Sequence, residues 1–159
     1  MTRRTNQSGI DIIKTSESLR LKPYMDPAGH LTIGWGHKIN GGEDFLLRGI
    51  TAEEADILLR EDLKEREKAL EESLDHPELL SSNQYSALID FLFNVGQGNL
   101  NRSNLRKRVN AGEYAKVPRE LMKWTKARDP KTGELVELPG LVTRRRVEAE
   151  QWSLPDGEG

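Results

Sequence analysis

Apolar and polar positions follow two different periods along this chain, and the places where one gives way to the other outline its architecture. Ile10 and Ile13 lead to Glu17 at helical spacing, with Leu19 and Leu21 following, so a short helix is expected there. Ser8, with Asp11 three residues on, reads as its opening cap, and the helix should end before Pro23. After the turn signal Pro27-Ala28-Gly29, residues Leu31, Ile33 and Trp35 alternate with Thr32, Gly34 and Gly36, the period of a half-buried strand. The helical period returns at Ala55, Leu58, Leu59, Leu63, Leu70 and Leu74, an apolar stripe on a long helix capped by Thr51 with Glu54 and stopped by Pro77. Its other face carries Glu/Lys and Glu/Arg pairs, and the stripe lapses between Leu63 and Leu70, which argues against a sustained coiled-coil seam.

Asn83 is expected to cap a further helix from Gln84 to about Val95. Tyr85, Leu88, Ile89, Leu92 and Phe93 make it apolar nearly all round, as suits the centre of a core. Amphipathic segments follow around Asn104–Asn110 and Tyr114–Lys126, then a loop or small hairpin from Asp129 to Gly140. A final helix, Leu141 to about Gln151, would dock through Trp152, and the tail from Ser153 onward is expected to be disordered. The pattern describes an α+β fold that is mostly helical.

Composition narrows the functional classes. With 159 residues there is room for one domain, or two lobes of one chain, with a sizeable core. Cysteine is absent, so neither a disulfide framework nor thiol chemistry is available. The beginning of the chain is basic but lacks an apolar run suited to a signal peptide, and no segment reaches membrane-spanning length. Cytoplasmic accumulation without stable membrane insertion is the expectation. The small net charge of −2 hides an asymmetry, with acids dominating residues 52–79 and bases residues 99–131. The basic stretch is either a set of solvated helix faces or a means of steering toward an anionic polymer such as the bacterial cell wall. Nucleic acid fits less well, because no recognition motif is present and aromatics do not interleave with the bases. His30, His37 and His76 lack zinc-site spacing, and no phosphate loop precedes a helix, so no metal or cofactor is expected. His37 reads as a structural partner for backbone or a carboxylate. Arg144, Arg145 and Arg146 read as ion-pair partners for Glu148 and Glu150, with groove contacts as the alternative.

The candidate chemistry lies in the segment ESLRLKPYMDPAGHLTIGWGH, residues 17–37. A glutamate closing a helix and an aspartate opening a tight turn can be folded to face each other. Two facing carboxylates are what glycosidic cleavage requires, one giving a proton to the leaving oxygen and the other managing water or the developing cation. Glu17 prolongs an apolar stripe, and a carboxyl pressed against apolar neighbours is expected to hold its proton more tightly. Thr32, Gly34 and Gly36 share the open face of the strand and suit a sugar-binding wall.

This segment resembles the catalytic signature of the phage-type lysozymes, glycoside hydrolase family 24. The runs FLFNVGQG (residues 91–98) and LPGLVTRRRVEAEQW (residues 138–152) match further parts of that family in the right order, so the resemblance extends from about Ile10 to Trp152. It implies a lysozyme-like fold with a small β-hairpin lobe at about residues 10–50, a connecting helix at about 51–76 and a helical lobe at about 77–152. It also implies Glu17 as proton donor, Asp26 as second carboxylate, Thr32 as the residue that helps place water, and Phe93 and Asn94 along the groove. The implied activity is hydrolysis of the β-1,4 bond between N-acetylmuramic acid and N-acetylglucosamine in peptidoglycan, with inversion. The implied setting is an endolysin acting as a monomer and released by a holin-type membrane permeabiliser. Ser18 departs from the family pattern, which has glycine there, and Pro118 interrupts a segment that is often plain helix. Two rivals stay open. A lytic transglycosylase would need neither Asp26 nor Thr32, and a wall-binding or structural protein would need no catalytic carboxylate.

Overall fold

The computed structural model describes residues 3–156. Helix α1 (Gln7–Glu17) leads into a three-stranded antiparallel sheet of β1 (Arg20–Met25), β2 (Leu31–Gly34) and β3 (His37–Lys38), in that order. A 3₁₀ turn at Asp44–Arg48 precedes the long α2 (Ala52–Ser73), which at about 1.5 Å per residue is roughly 33 Å long. Then come α3 (Ser82–Val95), α4 (Gln97–Arg102), α5 (Asn104–Asn110) and α6 (Val117–Leu121). The strands β4 (Lys126–Arg128) and β5 (Leu135–Glu137) form a small hairpin before α7 (Pro139–Ser153). The α+β, mostly helical class is as the hydrophobic pattern expects.

Two apolar clusters make up the core. The smaller joins Ile33, Leu46, Ile50, Ala55 and Leu58; the larger joins Ile13, Leu59, Leu63, Leu70, much of α3, and residues of α4 to α7. Helix α2 contributes to both, as its stripe requires. Helix α1 packs on α3 within the larger cluster, although its place in the sequence groups it with the small lobe. The approach is close: a Cβ on Gly9 would lie 2.7 Å from Cβ of Ser86.

Several local details differ from the sequence expectation, each for a physical reason. The cap of α1 is Asn6, not Ser8; its side chain accepts the Gly9 N–H at 2.8 Å, and Ser8 already lies in the first turn. The helix stops at Glu17 because Ser18 turns to φ 62°, ψ 156°, a conformation that is nearly reserved for glycine and costs a side-chain-bearing residue about 1–3 kcal/mol. Leu19 and Leu21 therefore flank or join β1 and do not extend the helix. Pro23 sits inside that strand, where the register with β2 is irregular between Arg20 and Tyr24. Trp35 lies in the turn after β2, not in the strand.

The capping box of Thr51 and Glu54 forms as expected, but α2 ends at Ser73, ahead of Pro77. Ser81, not Asn83, caps α3 through a capping box with Gln84. Gly96 turns the chain at φ 87° into α4, a helix that the hydrophobic pattern does not signal. The tail is not free as far as Asp156, whose carboxylate accepts the N–H groups of Ser82 and Asn83 at 2.9 and 3.0 Å, while residues 157–159 lie outside the described chain.

Candidate active site

Glu17 ends α1 with its side chain turned toward the β2–β3 turn and α7. Arg144 donates to Glu17 Oε1 at 2.8 Å. On its other side the backbone of Gly36 comes so close that an added Cβ would lie 2.6 Å from Glu17 Oε2. The setting is therefore an ion pair beside bare backbone, in place of the apolar pocket that the stripe suggested. The carboxylate remains about one-fifth exposed.

Asp26 opens the turn between β1 and β2, and its own loop holds it. Asp26 Oδ1 accepts the N–H of Ala28 at 2.9 Å and that of His30 at 2.7 Å, while Oδ2 lies 3.5 Å from His30 Nδ1. Partial burial works against ionisation here. The His30 N–H, the His30 ring, the Ala28 N–H and nearby Lys38 outweigh it and hold the carboxyl below its ordinary range. Thr32 is only 3% exposed and its hydroxyl donates to the His30 carbonyl at 2.9 Å. The Asp26 N–H donates to the same carbonyl at 2.8 Å, so one backbone oxygen fixes the second carboxylate and the threonine together. Tyr24 pairs with Thr32 across the sheet, and its phenol is raised above its ordinary value, first by burial and then by the charges of Glu17 and Asp26.

The other sequence candidates are distributed differently. A Cβ on Gly34 would meet Ile50 and Ala55 at 3.4 and 3.5 Å, so this glycine faces the small core and not a sugar wall. Gly36 is the one that makes a close approach, and what it approaches is the Glu17 carboxylate. Phe93 is 9% exposed, packed in the larger core with the Arg66 guanidinium 4.9 Å above its ring, which leaves it little surface for a sugar. Asn94 is half-buried in the last turn of α3, and among the described residues no hydrogen bond ties it to the Glu17 cluster. Arg145 pairs with Glu148 as the sequence reading expects. Arg144 instead bridges Glu17 and Asp90, a role that the reading missed. The available signal was Asp90 itself, a lone acid on the apolar helix α3 that needs a buried cation.

The hairpin is pinned to α2 by polar contacts. Trp35 Nε1 donates to Asp56 at 3.0 Å, and Lys14 pairs with the same carboxylate at 3.1 Å. His37 stands between two acids, with Nδ1 2.9 Å from Asp62 and Nε2 3.0 Å from Glu43. The bond to Asp62, opposed by burial and aided by Glu43, raises the imidazole to about 9 from 6.5. Partial burial disfavours charge on Glu43, but the Asn40 N–H and His37 outweigh it and lower its carboxyl. Because the folded-state histidine value is the higher one, the stabilisation is complete below pH 6.5 and is lost as pH rises through about 9. On the acid side the arrangement weakens when Glu43, whose carboxyl is held low by these contacts, takes up a proton. Thermal melts between pH 5 and 10 should show a loss of about 3 kcal/mol on the alkaline side. In His37→Asn that dependence should be largely absent; an unchanged slope would remove His37 as its source.

A long helix joining a small antiparallel sheet to a larger helical core, with a glutamate closing the first helix, is the architecture of the lysozyme-type hydrolases. The sequence matches the family model described as phage lysozyme over residues 14–148. An endolysin of Acyrthosiphon pisum secondary endosymbiont phage 1 is 38% identical over 145 residues, covering 90% of this chain and 93% of that protein. Among solved structures, the muramidase domain of SpmX from Asticaccaulis excentricus aligns with a TM-score of 0.82 at 32% identity, covering 96% of this chain and all of that one. The endolysin from Escherichia coli O157:H7 phage FAHEc1 aligns with a TM-score of 0.80 at 30% identity, covering 95% of this chain and 94% of the other. The chain belongs to the phage lysozyme family, and is a lytic enzyme that acts on peptidoglycan.

Proposed function

We propose that the chain hydrolyses the β-1,4 bond between N-acetylmuramic acid and N-acetylglucosamine, with Glu17 as general acid and Asp26 and Thr32 managing the attacking water. The observation that carries this is the contrast between the two carboxylates. Glu17 is immobilised from outside its own helix by Gly36 and Arg144. Asp26 is held ionised by its own loop and shares the His30 carbonyl with Thr32. One carboxyl fixed in place and a second, ionised one beside a hydroxyl support the division of labour in two-carboxylate cleavage. Water activated by Asp26 would attack the anomeric carbon from the face opposite the leaving oxygen, with inversion. Gly36 belongs to the site as the neighbour of the acid, and Asn94 as a candidate groove residue. Action as a monomer, synthesis in the cytoplasm and release by a holin-type permeabiliser complete the reading, supported by the relationship to phage endolysins.

Mass spectrometry of purified peptidoglycan digested by the protein tests the reaction. Reducing muramic ends are the expected product. Anhydro-muramic ends would assign a transglycosylase, and intact glycan strands with folded protein would leave a wall-binding role.

A further inference from the structure

Arg144 meets Glu17 in one orientation, and Asp90 sets it. Arg144 Nε donates to Asp90 Oδ2 at 3.0 Å and Nη2 to Asp90 Oδ1 at 2.8 Å, leaving Nη1 for Glu17 at 2.8 Å. A planar guanidinium gripped along one edge by a carboxylate cannot swivel, so the third bond is delivered in a fixed direction. Asp90 is fully buried on α3, and among the described residues this arginine is what links it to the acid.

The cluster continues inward. Glu148 is also fully buried, and Arg145 donates to Glu148 Oε2 at 2.8 Å while lying 5.0 Å from the Phe91 ring centre. Glu17, Asp90 and Glu148 supply three carboxyls against the two guanidiniums of Arg144 and Arg145, with the Tyr24 phenol facing Glu17 from β1. Burial first, and then Asp90, push the Glu148 carboxyl well up. Burial opposes charge on Asp90 as well, yet Glu148 and the Arg144 charge hold it low. Asp90 is left as the ionised partner of Arg144.

We propose that Asp90 is a positioning residue for the acid: it takes the forked edge of Arg144 and aims the remaining N–H at Glu17, fixing where that carboxyl stands. The proposal rests on the reading of Glu17 as general acid. Without Asp90 the guanidinium is free to turn, and Glu17 loses the N–H that is delivered to it in a fixed direction.

Initial rates on purified peptidoglycan test this with Asp90→Asn, read as kcat and KM. The expected result is a kcat lower by about 10- to 100-fold with KM within about twofold, because the acid is misplaced while sugar binding is untouched. A fall confined to kcat is what loss of packing alone would not produce. A folded Asp90→Asn with a wild-type kcat overturns the proposal. If that variant does not fold, Arg144→Lys decides, since it keeps the charge but loses the fork. A fall in kcat at constant KM supports the proposal, and a wild-type kcat overturns it. Glu17→Gln run in parallel separates the two levels. A fully active Glu17→Gln removes the acid assignment and the positioning role with it, whereas an inert Glu17→Gln beside a wild-type Asp90→Asn removes the positioning role alone.

Discussion

Glu17→Gln is expected to reduce peptidoglycan turnover by at least about 1,000-fold, the upper part of the range for removing a general acid. The amide keeps the size of the side chain and an oxygen for the Arg144 N–H, so the geometry beside Gly36 survives while the transferable proton is lost. Stability should change by no more than about 1 kcal/mol, because the partly exposed Glu17–Arg144 pair is screened by solvent and Asp90 still holds the arginine. Clearing of a cell-wall suspension together with a thermal melt would check both halves. An inert protein that melts like the wild type is the expected pair of results. Substantial clearing by the amide variant would end the assignment of Glu17 as acid.

Gly36→Ala should be nearly as harmful to turnover, for a steric reason. The residue sits at φ 77°, and the new methyl would lie 2.6 Å from Glu17 Oε2 and 2.9 Å from Cδ. Glu17 is held on its other side by Arg144, so relief means displacing the carboxyl from its position. A shift approaching 1 Å at a reacting group costs about 100-fold in rate. The backbone penalty adds about 1–2 kcal/mol of destabilisation. Gly112→Ala separates these effects, since Gly112 has a similar φ of 74° with open space around it. That control should lose stability and keep its kcat. Equal kcat values for the two alanine variants would show that Gly36 does not act through the acid.

What could be read from the sequence depended on how local each signal was. The long α2 was legible because a capping box and an apolar stripe both lie within the helix. The start of α1 was shifted because Ser8 and Asp11 imitate a cap two residues inside the real one at Asn6. Its end was obscured because Leu19 and Leu21 fit either period over so short a stretch, and serine gives no warning of the turn at position 18. Glu17, Asp26 and Thr32 were nameable from one segment. The surroundings of Glu17 were not, since Arg144 lies 127 residues away. Gly34 and Gly36 looked equivalent in the pattern, yet β2 ends at Gly34 against the small core, and the turn that follows carries Gly36 to the acid. Phe93 shows the same limit: its place in an apolar stripe spoke for the core, and the core is where it packs.

Both ends of the described chain are tied to the beginning of α3. Asn6 Nδ2 donates to Asn83 Oδ1 at 3.0 Å, while Asp156 accepts from Ser82 and Asn83 and the Asn83 amide reaches the carbonyls of Leu154 and Pro155. Mechanically the polypeptide is a loop clasped at one point. Tension applied between residues 6 and 156 runs through that clasp before it reaches the hairpin that carries Asp26 and Thr32, so a protein tethered at both places would hold that hairpin slack until the clasp opened.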